Sequence, residues 1–317
     1  MTWPKYLGTR AALAALTLVL IAVVTFFMTS VVPSDPARVA LGKFASEEQL
    51  EAYREQQGLD LPVVQRFGHW SAGILRGDWG TSVLTRRDVS ELVAPRLVRS
   101  LIVSIAAMLI AVPLAFVFGV YTAQRSGSGT DFTVSVGALL VNALPEFVVG
   151  LSLLVIFGVW AGILPIESSA AGFEGGWEAA KAYVLPTLTL AIVMTPYILR
   201  MVRTNVRDTM SLPFVRSAVL RGIPRRRVMW HHVVPNASLP VVNVVALSLA
   251  ELVGGVVVIE TVFGFPGIGK LLVESVGSKD IPTVQAIAVV IGLGFVVLNF
   301  VADAVLIMLD PRLRAES

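Results

Sequence analysis

Cysteine is absent from the 317 residues and histidine occurs only three times. Without thiols the chain has no disulfide, zinc–thiolate site, iron–sulfur cluster or thiol nucleophile, and the lack of disulfides leaves its redox compartment open. Charge is also scarce: 15% of residues are Asp, Glu, Lys or Arg, against roughly a quarter in a soluble average. Hydrophobic residues make up 55% of the chain, and the mean hydropathy is +0.77. A soluble domain would have to expose much of that apolar surface, whereas a bilayer absorbs it in long runs, so the composition is that of an integral membrane protein. The net charge of +3 and pI near 9.4 would suggest nucleic acid only if the basic residues lay away from span ends.

Six apolar runs approach the 20 or so residues that cross roughly 30 Å of hydrocarbon as helix: 11–32, 101–123, 134–159, 183–201, 241–262 and 283–309. Lys5 and Arg10 precede the first as in a secretory signal. Its apolar run exceeds the usual 7–15 or so residues and no A-x-A site follows, so it is expected to remain as an anchor. Between the fourth and fifth runs lie Arg203, Arg207, Arg216, Arg221, Arg225, Arg226 and Arg227, opposed by Asp208 alone. The positive-inside rule makes that loop cytoplasmic and, by parity, both termini too, together with Lys5, Arg10, Arg125, Arg312 and Arg314. Loops 161–182 and 263–282 then fall outside. The basic residues thus flank spans, and no nucleic-acid partner is expected.

Residues 33–99 read as a small folded cap on the outer side. Ser46 and Gln49 form a capping-box pattern for a helix over 47–57 stopped by Gly58, and Pro62 opens a second helix ending near Gly77. Residues 125–129 (RSGSG) form a flexible turn, and no internal repeat is evident. In the basic loop, Phe214, Val215, Ala218 and Val219 recur at helical spacing, while Arg216, Ser217 and Arg221 occupy other faces. This predicts a short amphipathic helix over 213–220, ended by Gly222 and followed by a helix opened at Pro224. Such a helix has three readings: lying on anionic lipid, binding nucleic acid, or docking into a groove on a cytoplasmic partner.

That stretch resembles the EAA loop of the membrane-spanning subunits of bacterial ABC importers. Arg216, Ser217 and Ala218 stand at the E-A-A positions, Gly222 at the glycine four residues on, and Pro235 at the closing proline thirteen residues later. The glutamate and first alanine are missing, a departure shared by the oligopeptide/dipeptide/nickel branch. Five further pieces are similar to that branch: SDP (34–36), GLDLP (58–62), GDWGTS (77–82), ETVFGFPGIGKLL (260–272) and LDPRLR (309–314). With the loop they run in order to the end of the chain. The resemblance implies an all-α polytopic membrane protein of the ABC importer type I permease fold, with six transmembrane helices, in the bacterial plasma (inner) membrane. Its parts would be the N-terminus and first span (1–32), the external cap (33–99) and the permease core (100–317) with a cytoplasmic coupling loop (203–237).

The same resemblance implies partners: a homologous second permease subunit, two cytoplasmic ATP-binding subunits and an external substrate-binding protein. ATP and magnesium would be used by the partner ATPases, and this chain would bind no cofactor and catalyse nothing. The helix over 213–220 would be the coupling helix, with Phe214, Val215, Arg216, Ser217, Ala218, Arg221 and Gly222 at the ATPase contact. The substrate implied is a dipeptide or oligopeptide, with nickel, haem or another small solute as alternatives.

Several features mislead. Gly264–Lys270 fits G-x-x-x-x-G-K, but Leu271 stands where Ser or Thr should hold magnesium and the segment falls outside by parity. His231 and His232 are adjacent, so on a helix they point about 100° apart, and His69 is isolated, leaving no plausible metal set. Trp79, Trp160, Trp177 and Trp230 sit near span ends or in loops as anchors or local packing. Asp303 and Glu260, near span ends, are accounted for by snorkelling or capping, and Gly254 and Gly255 by close helix packing.

Carboxylates inside spans are expensive and usually face a cavity or a partner. Glu146, beside Pro145, and Glu251 lie in the third and fifth spans, with Asn142 one turn before Glu146. Asn142, Glu146 and Glu251 either line a path for substrates with a cationic end or are buried partners of other spans or of the second permease. Two rivals come from other classes. An ion-coupled secondary transporter would usually show inverted repeats, and an intramembrane hydrolase would need a histidine near Ser152, which no span supplies.

Overall fold

A computed structural model of the chain describes residues 3–31, 35–42, 44–56, 58–169 and 176–309. Ser34 of the SDP piece and Arg312 and Arg314 lie outside the described residues, as do the side chains of Lys5, Glu251, Gly254, Gly255 and Asp303. Among the described residues the structure is helical, with one isolated antiparallel bridge, Thr81 to Asp88.

Helix α1 is Trp3–Val31, followed by the cap helices α2 (Pro36–Leu41), α3 (Glu47–Gln56) and α4 (Val63–Leu75). The long α5 is Val89–Gln124, and α6 (Gly129–Ala143) and α7 (Glu146–Leu153) follow, the latter continuing as a π-helical stretch to Trp160. Helix α8 is Trp177–Met210, α9 Pro213–Leu220 and α10 Arg225–Val228, with π-helical Met229–Val233 leading into α11 (Val234–Val262). Helices α12 (Ile268–Gly277) and α13 (Ile281–Leu309) complete the chain.

Four stretches are long and apolar enough to cross a membrane: Gly8–Ser30, Val89–Gln124, Trp177–Met210 and Ile281–Val301. A fifth is the pair Gly129–Ala143 and Glu146–Trp160, bent by 102°. The sequence reads this pair as one unbroken span, and proline explains the difference. Pro145 has no N–H to donate and disfavours helical backbone at the residue before it, and Leu144 is extended at φ −81°, ψ 135°. The remaining expected span, 241–262, is helical throughout within α11, although many of its side chains lie outside the described residues.

The chain divides into two compact units. One consists of Leu101–Phe265 with short terminal stretches. Here α8 packs against α6, α7 and α11. One cluster of buried side chains joins Met108 and Ala111 of α5 to Leu185 and Leu190 of α8 and Ile259 of α11. A second joins Ala115 and Val120 to Ile198, Val202 and Val206, and continues through Val215 and Ala218 to Val228, Met229 and Val233. Gly119 permits the closest approach: a Cβ there would lie 2.7 Å from the Cβ of Val202 and 3.0 Å from the carbonyl oxygen of Leu199.

The other unit consists of Leu7–Ser100 and Pro266–Val297. The capping box at α3 forms as read: the Gln49 amide donates to Ser46 Oγ at 3.3 Å and the Ser46 amide to Gln49 Oε1 at 3.0 Å. Asp35 caps α2 by accepting the Ala37 amide at 3.0 Å and pairs with Arg54 of α3. Phe67 and Trp70 of α4 pack on Phe26 of α1, with ring centroids 5.4 and 5.3 Å apart. The GDWGTS turn, with positive φ at Gly77 and Gly80, is tied to the start of α13 through Asp280. That carboxylate accepts Ser82 Oγ at 2.6 Å, the Val83 amide at 3.1 Å and Thr283 Oγ1 at 2.8 Å. Buried polar groups cluster here because each has a partner.

Candidate functional sites: the loop helix and the broken span

Helix α9 covers the range expected from its periodicity. Pro213 occupies its first turn, where a missing N–H leaves nothing unsatisfied. Gly222, at φ +79°, ends it in a left-handed conformation that other residues adopt with strain. There the Gly222 amide donates to the Val219 carbonyl at 3.0 Å and the Ile223 amide to that of Ala218 at 3.3 Å.

The two sides of this helix do different things. Val215 and Ala218, expected at the partner contact, are instead buried, at 6% and 5% exposure, in the cluster that includes Val206 of α8, Val228 of α10 and Met229 just after it. Helical spacing of three puts them on one face, and the chain itself covers that face. The apolar residues left facing outward are Leu212, Phe214, Val219 and Leu220, the last 80% exposed. Arg216, Ser217, Arg221 and Gly222 are exposed beside them. Leu220 was missed because the sequence pattern alone does not say which of two apolar stripes meets the core. Beyond α9, Pro224, Arg226, Arg227, Trp230 and His231 surround an open surface hollow.

The backbone break separates two of the three expected pathway residues. Asn142 is exposed near the end of α6, and Glu146, half-buried, opens α7 after Pro145. They are therefore not stacked on one helix, as the spacing suggested, but flank a corner. Helix α7 packs against α8 and α11. At Gly150 a Cβ would lie 3.2 Å from Phe263 Cε2 and 3.4 Å from Thr189 Cγ2, so only glycine lets α7 approach this closely without a shift. Glu251 belongs to α11, but its side chain lies outside the described residues. Asn142 also lines a hollow of about 200 Å³ between α6 and α8 with Pro196, Arg200 and Arg203.

An ion pair fixes the other end of α6. Asp131, 5% exposed, takes two hydrogen bonds from Arg203 of α8, Nε at 2.7 Å and Nη2 at 2.8 Å. It also accepts the Gly127 amide at 2.9 Å. The sequence reading counted Arg203 only as one of the loop's basic residues and passed over Asp131. The available signal was Ser128 capping the Asp131 amide at 3.2 Å, a capping pattern at the helix start.

The glycine-rich segment after α11 is packed by its own chain rather than shaped around a phosphate. Phe263 and Phe265 are fully buried, and Phe265 meets Tyr183 edge-on at 5.0 Å. The Phe265 amide donates to the Glu260 carbonyl at 2.8 Å, and the Ile268 amide to Ser100 Oγ at 2.9 Å. Those amides are spent on the fold, and a phosphate cradle would need them free. No group of three or more metal-ligating side chains occurs among the described residues.

Comparison with known proteins accounts for this arrangement. Residues 115–315 match the family described as binding-protein-dependent transport system inner membrane component. Residues 4–101 match the N-terminal part of the membrane component of such systems. The chain is 31% identical over 309 residues, 98% of its length and 99% of the relative's, to the "Probable peptide ABC transporter permease protein y4tP" of Sinorhizobium fredii (strain NBRC 101917 / NGR234). It is 34% identical over 298 residues, 94% of this chain and 95% of the other, to the glutathione transport system permease protein GsiC of Salmonella choleraesuis (strain SC-B67). To the protein of that name from Escherichia coli (strain K12) it is 32% identical over 301 residues, with the same shares covered. A helical chain with several apolar spans, matched to these relatives over nearly its whole length, belongs to the family of binding-protein-dependent transport system inner membrane components, the permeases of ABC transporters.

Proposed function

We propose that this chain forms half of the translocation pathway of an importer for short peptides, paired with a second, homologous six-span permease. Two cytoplasmic ATPases would supply ATP hydrolysis, with their own ATP and magnesium, and an external binding protein would deliver substrate. The relatives named for peptides and for glutathione, itself a tripeptide, support the substrate class. In this reading residues 1–32 are the anchor, 33–99 the external cap, and 100–317 the core, with both termini and loop 203–237 in the cytoplasm.

The observation that carries the coupling step is the two-sided packing of α9. A helix can transmit a push only if its rear is rigid, and Val215 and Ala218 lock that side into the chain's own core. Phe214 and Leu220 are then the apolar contacts offered to an ATPase groove, and Arg216 and Arg221 steer it electrostatically. Closure of the ATPase pair would move α9, and with it α8 and α11, between inward and outward openings of the paired permeases. Asn142 and Glu146 at the corner, together with Glu251, line the path and favour a substrate's ammonium end.

The test is affinity purification of the tagged chain from its native membrane. The wild type is expected to bring a second permease and the ATPase subunits. Phe214→Ser with Leu220→Ser should cut ATPase recovery at least about tenfold, since exposed apolar anchors dominate such contacts, while thermal unfolding of the chain barely moves. A lone chain that retains uptake driven by an ion gradient would sink the reading. Unchanged uptake after Glu146→Gln and Glu251→Gln together would remove the pathway role.

A further inference from the structure

A cavity of about 610 Å³ lies wholly within the unit that contains the cap. This falls in the size range of small-molecule sites, roughly 300–1,000 Å³. None of the pathway residues or those of α9 borders it.

Its walls are drawn from several separate stretches of the chain. Arg66, His69 and Trp70 of α4, spaced i, i+3 and i+4, share one helical face and turn it to the cavity. Asp78 and Trp79 come from the GDWGTS turn, Asp60 from the GLDLP segment, and the end of α1 and start of α13 complete this part of the lining. Two further charges on the wall, Asp35 and Arg54, are bound to each other. Asp78 also holds the Gly80 amide at 3.0 Å. Arg66 is half-buried, and its guanidinium has no hydrogen-bond or ion-pair partner among the described residues. Asp60 accepts no hydrogen bond among them. In all, the lining carries two guanidinium groups and three carboxylates, so the wall is slightly acidic and offers both signs of charge.

We infer that this cleft is a binding subsite for the two charged ends of a short zwitterionic peptide: Arg66 takes the carboxylate, Asp60 takes the ammonium, and Trp70 and Trp79 flank the side chains. The inference rests on the proposed reading of the chain as part of a peptide importer. The presence of both signs of charge argues for a zwitterion over an anion, because the excess of carboxylates opposes a purely anionic guest. Arg66 supplies the planar, paired donors that match a carboxylate. Indole faces provide apolar area and attract an ammonium group.

The test uses the purified full chain in lipid nanodiscs, titrated with L-alanyl-L-alanine while tryptophan fluorescence and heat are followed. Saturable binding at millimolar peptide is expected, because a site of this openness would hold its guest weakly. Arg66→Gln and Asp60→Asn should each weaken it about tenfold, as should the N-acetylated, C-amidated peptide with the wild type, while thermal unfolding stays unchanged. Absence of wild-type binding, or binding indifferent to both substitutions, would overturn the cleft. So would a phospholipid retained by the wild type and lost from Arg66→Gln, with no response to peptide. Uptake by the complete transporter in proteoliposomes separates the two readings. Uptake with a KM unmoved by Arg66→Gln refutes the cleft and leaves the importer standing, whereas binding by the chain without uptake of any peptide supports the cleft and removes the importer.

Discussion

Single charges carry much of the specificity of this chain because it has so few of them. Asp131 and Arg203 hold α6 to α8 through a two-pronged bond with little exposure. Removing one partner leaves a largely buried charge unpaired, which destabilises by about 3 kcal/mol. Asp131→Ala should therefore lower the melting temperature of the purified chain markedly, and adding Arg203→Ala should recover part of the loss in a double-mutant cycle. Asp35 behaves differently, since it lies in the cap. Its hydrogen bond from Arg54 is the main cause that holds its carboxyl below the ordinary 3.8, opposed by burial and helped by the Ala37 amide. A lowered folded-state value means the stabilisation is complete above about pH 4 and fades as the pH falls through that lower value. Protection of cap amides from hydrogen exchange should drop at acid pH in the wild type and show a flatter pH dependence in Asp35→Asn. Neither pair is legible in the sequence, because each joins residues brought together only by folding.

At the scale of elements, helices were readable and their faces were not. Apolar runs and caps located α3, α4 and α9 to within a few residues, together with the interiors of α1 and α8. Helix α5, however, begins twelve residues before its apolar run and runs on through Pro95, because Val89 and Val93 have a core to meet in Ile268 and Leu271. Glycines show how the same residue type differs by neighbour. A Cβ at Gly119 would collide with the Cβ of Val202 and the Leu199 carbonyl, neither of which can swing away. Gly119→Ala is expected to destabilise by about 1–3 kcal/mol as the helices are forced apart. At Gly292 the clash is with Ile21, at 2.7 Å from its terminal δ-methyl, the far end of a side chain that can rotate. Gly292→Ala should cost much less in the same thermal-unfolding assay, and equal losses at both positions would contradict this account.

For the molecule as a whole, the absence of native cysteine makes topology directly measurable. A single Gln49→Cys in the cap should react with an impermeant maleimide on intact cells, whereas Ser217→Cys in α9 should react only in inverted membranes. The reverse pattern would overturn the orientation read from the arginines. Composition, apolar run lengths and six short motifs by themselves determined that the chain lies in a membrane, is helical, and resembles the ABC permeases, because those properties depend on local periodicity and on which solvent each run tolerates. Tertiary structure alone decided that Val215 and Ala218 face inward while Phe214 and Leu220 face out, that Asn142 and Glu146 flank a corner, and that Arg66 and Asp60 border one cleft. The physical reason is that a side chain's neighbours across space, unlike its neighbours along the chain, are set by how helices pack, and one sequence pattern is compatible with several packings.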